Sequence, residues 1–263
     1  MSGYSDVDEY TNSESERRLM LSGLYSAASA MDAASLRHET SADNLAHAHQ
    51  PGFRRRVVGE VAFESVLNPR PGSSARDEAA ARLSDASLSV DFRQGPLQQT
   101  GRALDVALQG DGFFVVQGPD GPLYTRNGGF HVNGDGQLVT VDQLPVLGEG
   151  GPLNLPNGVS SESIQVSASG EVLSGTEVIG QLQLASFDDL SVLLPAGVSL
   201  FSAPPNAQVQ PANAQIVQGF LEQSNVQAID ELISIMVGSR QYEAAQKAMN
   251  AMDESIQKRT RVQ

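Results

Sequence analysis

The sequence predicts an α+β protein: long N- and C-terminal helices that pair as a coiled-coil domain, with a central antiparallel β-rich domain between them. Two observations predict it. Each end of the chain carries apolar or small residues stepping by three and four, the spacing of a helix that buries a narrow seam. The middle carries turn signals about every ten residues between short apolar or alternating runs, the rhythm of antiparallel strands. The chain has 263 residues, enough for one large domain or two modest ones.

Residues 1–18 are rich in Ser, Asp and Glu and read as a disordered tail. Within them Ser13-Glu14-Ser15-Glu16 forms a candidate capping box. Residues 19–67, with 212–263, form the terminal helical domain. The N-terminal seam is Leu24, Ala28, Met31, Ser35, His38, Ala42 and Leu45, mostly small, so a partner helix approaches closely. Pro51-Gly52 stops that helix. Beyond it, Arg54, Arg55 and Arg56 precede Val57, Val61, Phe63, Val66 and Leu67, a pattern open to either a strand or a short helix.

Residues 68–93 read as a linker, broken strongly at Asn68-Pro69-Arg70-Pro71-Gly72. Residues 94–205 are the β-rich outer domain. Phe113-Phe114-Val115-Val116 is a short apolar strand. Pro119-Asp120-Gly121, Asn127-Gly128-Gly129 and Asn133-Gly134-Asp135-Gly136 are turns, and Gln181-Leu182-Gln183-Leu184-Ala185 alternates as a half-buried strand does. Pro195, Pro204, Pro205 and Pro211 mark a second linker.

From about residue 215 the pattern is helical again, with Ser224-Asn225-Val226-Gln227 as a capping-box start. One stripe is Leu232, Ile235, Ser239, Tyr242, Gln246, Met249, Asp253 and Ile256. A second stripe, Ile229, Ile233, Met236, Ala244, Ala248 and Met252, lies beside it. The apolar surface is wide enough for more than one neighbour. Gly238 is a possible bend. A helix of about 30–40 residues is roughly 45–60 Å long, more than a β domain of about 27 Å covers. Each helix therefore carries a seam it cannot bury alone. Pairing the two ends leaves the outer stripe for other subunits; the alternative is a helical hairpin packed on its own β domain.

Composition removes several function classes. A net charge of −14 opposes non-specific binding to nucleic acid and attachment to anionic lipid. The absence of Cys excludes disulfides, thiolate nucleophiles and Cys-ligated metals. No apolar run is long enough to span a bilayer, and Met1 to Arg18 lack the hydrophobic core of a Sec-type signal. His47-x-His49 does not put both rings on one helical face, so it is a poor metal site. Asn133-Gly134-Asp135-Gly136 lacks the spaced acidic ligands of a calcium loop. No Gly-x-Ser-x-Gly elbow, phosphate loop or His-Glu-x-x-His is present. Asp105 and Asp111 are the one suggestive carboxylate pair. The expectation is no enzyme, no cofactor and no metal.

Three blocks carry a family resemblance. The first runs from Leu24-Tyr25-Ser26-Ala27 to Asp43-Asn44-Leu45-Ala46 and Pro51-Gly52-Phe53-Arg54. The second runs from Gln94-Gly95-Pro96-Leu97 through Leu104-Asp105-Val106-Ala107-Leu108-Gln109-Gly110-Asp111-Gly112-Phe113-Phe114 and Tyr124-Thr125-Arg126-Asn127-Gly128 to Gly136-Gln137-Leu138-Val139-Thr140. The third is Gly219-Phe220-Leu221-Glu222-Gln223-Ser224-Asn225-Val226 with Arg240-Gln241-Tyr242-Glu243. In that order they resemble the flagellar basal-body rod and hook family of bacterial axial proteins. Asp43, His47 and Ala245 stand where that family usually carries Asn, and Gln50 where it usually carries Thr.

The resemblance implies an inner coiled coil of terminal helices, a β-rich outer domain, and export through the flagellar type III apparatus without a cleaved signal peptide. It implies a place in the periplasmic rod of the basal body, with other axial subunits and further copies as partners. Val146-Leu147-Gly148-Glu149-Gly150-Gly151-Pro152 and the Leu-Asp-Val-Ala-Leu-Gln run are most similar to the proximal rod protein, while Gly219-Phe220-Leu221-Glu222 is also similar to the distal one. The candidate assembly residues are Leu24, Met31, Asn44, Leu45, Gly52, Phe53, Asn225, Val226, Leu232, Ile235, Tyr242 and Met249. Gly52 allows the turn out of the first helix, and Phe53 anchors the extended segment against a neighbour. Distal-rod or hook-type membership is the alternative within the family; a cell-wall glycan hydrolase or a monomeric binding module are the alternatives outside it.

Overall fold

Two long helices bracket the chain in the computed structural model, which describes residues 5–59, 88–156 and 159–260. Residues 68–87 of the linker expected at 68–93, the apolar positions Val61, Phe63, Val66 and Leu67, and Met1 to Tyr4 lie outside those residues, while Leu88–Val90 forms a strand. Helix α1 spans Ser5–Ala46 and helix α2 spans Ala228–Thr260. The backbone is already helical at Ser5, ahead of the capping box at Ser13. The strands, in chain order, are β1 Arg56–Val58, β2 Leu88–Val90, β3 Leu97–Gln99, β4 Val106–Gln109, β5 Phe113–Gly118, β6 Gly121–Thr125, β7 His131–Val132, β8 Leu138–Val139, β9 Leu147–Gly148 and β10 Gly151–Pro152. They continue with β11 Ile164–Val166, β12 Glu171–Ser174, β13 Glu177–Gln181, β14 Leu184–Phe187, β15 Leu194–Pro195, β16 Leu200–Ser202, β17 Val209–Pro211, β18 Gln215–Gln218 and β19 Phe220–Glu222.

The chain divides into two units. One comprises Met1–Asp43, Arg56–Ser89 and Ala228–Gln263; the other comprises Asn44–Arg55 and Val90–Gln227. In the first, α1 and α2 touch in antiparallel order. A side chain at Gly23 would meet Met252, one at Gly238 would meet Ala34 and His38, and Arg37 Nη1 donates to Gln241 Oε1 at 3.4 Å. The covered positions on α1 include Gly23, Ala27, Ala30, Ala34 and Ser41, while Ala28, His38 and Ala42 are exposed. The spacing of four and three is the expected one, but its register sits one residue earlier. Small residues on both sides of the helix give little hydrophobic contrast, so the pattern fixes the period better than the phase. Arg56 Nη1 pairs with Asp43 Oδ2 at 2.9 Å, and Ser89 Oγ donates to the Val57 carbonyl at 3.3 Å across the β1–β2 ribbon.

The second unit is built around a six-stranded antiparallel sheet in the order β15-β16-β6-β5-β14-β17. Strand β5 is apolar on both sides because both sides are covered. Phe114 and Val116 enter one core with Val106, Leu108, Phe130, Ile164 and Ile216; Phe113 and Val115 enter another with Tyr124, Phe187 and Phe201. The second core is aromatic, with Tyr124 and Phe187 edge to face at 4.8 Å and Phe92 against Phe201 at 5.1 Å. Such pairs add about 0.5–1.5 kcal/mol each beyond the area they bury. A chain poor in aromatics therefore concentrates them where the sheet needs them.

Two sequence expectations need correction here. Pro195 and Pro211 do not mark a linker: they sit in β15 and β17, the two edges of the sheet, where a residue without an N–H is tolerated. The segment after residue 212 is not yet helical. Gln215–Gln218 pairs with β4, Ile216 facing Leu108, and Phe220–Glu222 pairs with β3, Glu222 facing Leu97. Between these two ladders Gly219, at φ +78°, turns the chain, and its N–H donates to the Asp105 carbonyl at 2.7 Å. Helix α2 starts only at Ala228. The Ser224 hydroxyl caps its own turn instead, accepting from Val226 N at 3.1 Å.

Candidate functional site

Glu222 is the point on which the β unit closes. Its side chain is wholly buried, and its Oε1 accepts from Arg54 Nη2 at 2.5 Å and from Gly95 N at 2.8 Å. Its Oε2 accepts from Arg126 Nη1 at 3.2 Å. Arg126 Nη2 donates to the Gly110 carbonyl at 2.9 Å, and its guanidinium lies 5.4 Å above the Phe113 ring. Burial pulls the Arg126 pKa below the usual guanidinium value; Glu222 opposes that shift and Arg54 reinforces it. One carboxylate thus bridges the strand return, the segment before β3, the loop after β6 and the extended passage after α1. Nothing here is a reaction centre. Two guanidinium groups saturate the carboxylate, and no nucleophile joins them.

Glycine makes room for this convergence. Gly52 adopts φ +71° and donates its N–H to the Glu222 carbonyl at 2.8 Å. A side chain there would run into Asn127 N at 2.3 Å, and one at Gly95 into the Gln223 carbonyl at 2.0 Å. The expected turn at Gly52 is present, but Phe53 beside it is fully buried in its own chain and stacks on His47 at 5.0 Å. It therefore presents no surface to a neighbour. The arginine run is engaged internally as well: Arg54 with Glu222, Arg56 with Asp43, and Arg55 through its N–H to Asn225 Oδ1 at 2.8 Å. Arg126-Asn127-Gly128 links β6 of the large sheet to β7, which pairs with β8.

The candidate assembly residues fall into two groups. Asn44, Gly52, Phe53 and Val226 are buried, and Asn225 is a clamp: besides holding Arg55 it donates to the carbonyls of Asp91 and Arg93 at 2.8 and 3.0 Å. On the helices, Leu24, Met31, Leu45, Ile235 and Met249 are half-buried, whereas Leu232 and Tyr242 are exposed. Tyr242 lines a cleft of about 290 Å³ with Ala34, Ser35 and His38 beside Gly238.

Among the described residues, the first half of α2 carries a run of exposed apolar side chains. Ile229, Leu232, Ile233, Met236 and Val237 are all exposed, Ile229 to 73%. At 100° per residue they lie on the side of the helix opposite Glu231 and Gly238, which are buried. Isolated exposed apolar residues are ordinary; a contiguous stripe over two to three turns marks an interaction surface. The second stripe of the sequence pattern contained Ile229, Ile233 and Met236; Val237 lies on the same face, one turn after Ile233, but was not counted in it. Glu222 and Arg126 were missed as a pair because nothing in a linear sequence joins a strand-end carboxylate to a distant loop cation. Among the described residues no helix is long and apolar enough to cross a membrane, and no group of side chains could hold a metal ion.

Comparison with known proteins agrees with this architecture. Residues 107–174 match the family model described as the flagellar hook protein FlgE/F/G D1 domain, and residues 217–261 match the flagellar basal body rod FlgEFG protein C-terminal model. The first covers the core strands, the second the strand return and α2. The flagellar basal-body rod protein FlgF of Rhizobium meliloti (strain 1021) is 34% identical over 248 residues, covering 91% of this chain and 96% of its own. FlgF of Caulobacter vibrioides is 34% identical over 80% of this chain and 84% of its own. The rod protein FlgG of Agrobacterium fabrum is 30% identical over 87% of this chain and 94% of its own. With matched blocks on both the sheet core and the C-terminal helix, and 34% identity to such a relative over 91% of this chain, the chain belongs to the flagellar basal-body rod protein family.

Proposed function

We propose that the chain is a self-assembling structural subunit of the basal-body rod, in the proximal segment, where its terminal helices form a coiled coil that joins neighbouring axial subunits into a torque-transmitting shaft. The observation that carries this reading is the bare stripe of Ile229, Leu232, Ile233, Met236 and Val237 on α2. Covering that face removes several large side chains from water at about 25 cal/mol per Å² of apolar area. The opposite face supports the pairing of the two helices, through the contacts at Gly23, Gly238 and Arg37. Leu232 and Tyr242 are the most exposed of the sequence-derived assembly residues; Asn44, Gly52, Phe53, Asn225 and Val226 act by holding the β unit in shape. Its relatives are structural rod proteins, and the chain is not an enzyme. Partners are other axial subunits and further copies, reached after export through the flagellar apparatus.

The proximal position rests on the Val146–Pro152 and Leu104–Gln109 runs and on two FlgF relatives at 34% identity; other FlgF relatives and the FlgG relatives both stand at about 30%. The distal position is the second reading, favoured by the Gly219-Phe220-Leu221-Glu222 run. Electron microscopy of basal bodies from a deletion strain separates them: a shaft missing from its base supports the proximal reading, and one that stops short of the hook supports the distal. Ile233→Asp with Met236→Asp tests assembly itself. The expected result is a folded, exported monomer that fails to enter the shaft; normal incorporation overturns the proposal.

A further inference from the structure

Two Asn-Gly pairs among the described residues sit in opposite environments. Asn127-Gly128 is pinned. Gly128 is buried, its carbonyl accepts from Val106 N and Phe130 N at 3.0 Å each, and the space of a side chain is filled by the Val106 carbonyl at 1.8 Å. Asn127 Oδ1 also accepts from Gly129 N at 3.0 Å, so both pairs carry a local turn and differ in the burial of the glycine and the crowding around it. Asn133-Gly134 is at the tip of the β7–β8 hairpin. Gly134 is exposed, nothing lies within 4 Å of where its side chain would be, and its N–H donates no hydrogen bond among the described residues. Loop tips of this kind are where backbone chemistry is freest.

The Asn133 side chain is also folded toward its own backbone. Its Oδ1 accepts from Asp135 N at 3.0 Å and from Gln137 N at 2.9 Å. The ring closed by the first of these bonds contains the Gly134 nitrogen. Two N–H donors on one carbonyl oxygen withdraw electron density from Cγ and stabilise negative charge on Oδ1, as such donors do in acyl transfer.

We propose that Asn133 is a site of spontaneous deamidation, with water as co-reactant. The Gly134 nitrogen loses its proton to solvent base and attacks Asn133 Cγ. The N–Cγ bond forms, the Cγ–Nδ2 bond breaks, and ammonia leaves with the transferred proton. Water then opens either carbonyl of the five-membered imide, giving aspartate or isoaspartate, with no change of oxidation state. Aspartate keeps the two N–H bonds to Oδ1. Isoaspartate places an extra methylene in the main chain beside the β7–β8 ladder, whose Leu138 is a core residue.

The test is peptide-level mass spectrometry of the full chain held at mildly alkaline pH, with enzymatic isoaspartate labelling. The Asn133 peptide is expected to gain the amide-to-acid mass several-fold faster than the Asn127 peptide, and faster as pH rises. Gly134→Ala, which meets open space and a φ outside the left-handed region, should slow Asn133 several-fold while leaving Asn127 unchanged. Equal or faster conversion at Asn127, or no slowing by Gly134→Ala, overturns the assignment.

Discussion

Arg54 and Glu222, 168 positions apart, meet in a fully buried ion pair of 2.5 Å. Removing one partner of such a pair strands the other in a low-dielectric interior. Glu222→Ala leaves Arg54 and Arg126 facing each other with no carboxylate, and should destabilise the protein by about 3–5 kcal/mol. Urea denaturation followed by circular dichroism reads this directly. A loss below about 1 kcal/mol would mean that water or a rearranged side chain replaces the carboxylate.

Truncations should separate assembly from folding at a defined point. Removing 228–263 takes away α2 and leaves both strand returns in place, so the β unit should still unfold cooperatively. Removing 219–263 also deletes β19 and Glu222, and should abolish that cooperative transition. Similar melting of both truncations would show that the return through β19 is dispensable.

Glycines here differ in what they tolerate. A side chain at Gly238 would lie 3.7 Å from the Ala34 carbonyl, an ordinary contact, and the residue is inside a helix. Gly238→Ala should stabilise α2 by about 1 kcal/mol. Gly128→Ala places a carbon against the Val106 carbonyl at 1.8 Å and should cost about 1–3 kcal/mol or more. Paired thermal melts of the two variants check the opposite signs.

Asp91 gives a pH dependence with a definite direction. Hydrogen bonds from Arg93, at 2.9 and 3.0 Å from Nε, hold its carboxyl below its ordinary value of 3.8. A carboxylate depressed in the folded state contributes fully above the unfolded value, and that contribution is lost as pH falls through the folded one. Asp91→Asn should therefore flatten the decline in stability below about pH 4. Because Arg93 is exposed, the change is small. An unchanged acid limb would contradict the assignment.

Much of the architecture was legible in the residues themselves. Phe113-Phe114-Val115-Val116 reads as a strand because both its faces are buried, and the steps of three and four at each end read as helices. The strand return was not legible. Gln215-Ile216-Val217-Gln218 and Phe220-Leu221-Glu222 are too short and too polar to stand out, and their pairing partners are far away in sequence. Proline misled at 195 and 211 because edge position, which excuses it, is a property of the finished sheet. Arg54 and Glu222 look like surface charges in a linear reading. Their burial depends on four segments arriving together.

The pairing of β3 and β4 with β19 and β18 also imposes an order in time. Those two early strands have no ladder partners until residues 215–222 have been made. Contacts that span so much sequence form slowly, because a large loop must close before any pairing repays it. The β unit of a nascent copy therefore stays incomplete until Gln215–Glu222 have been made.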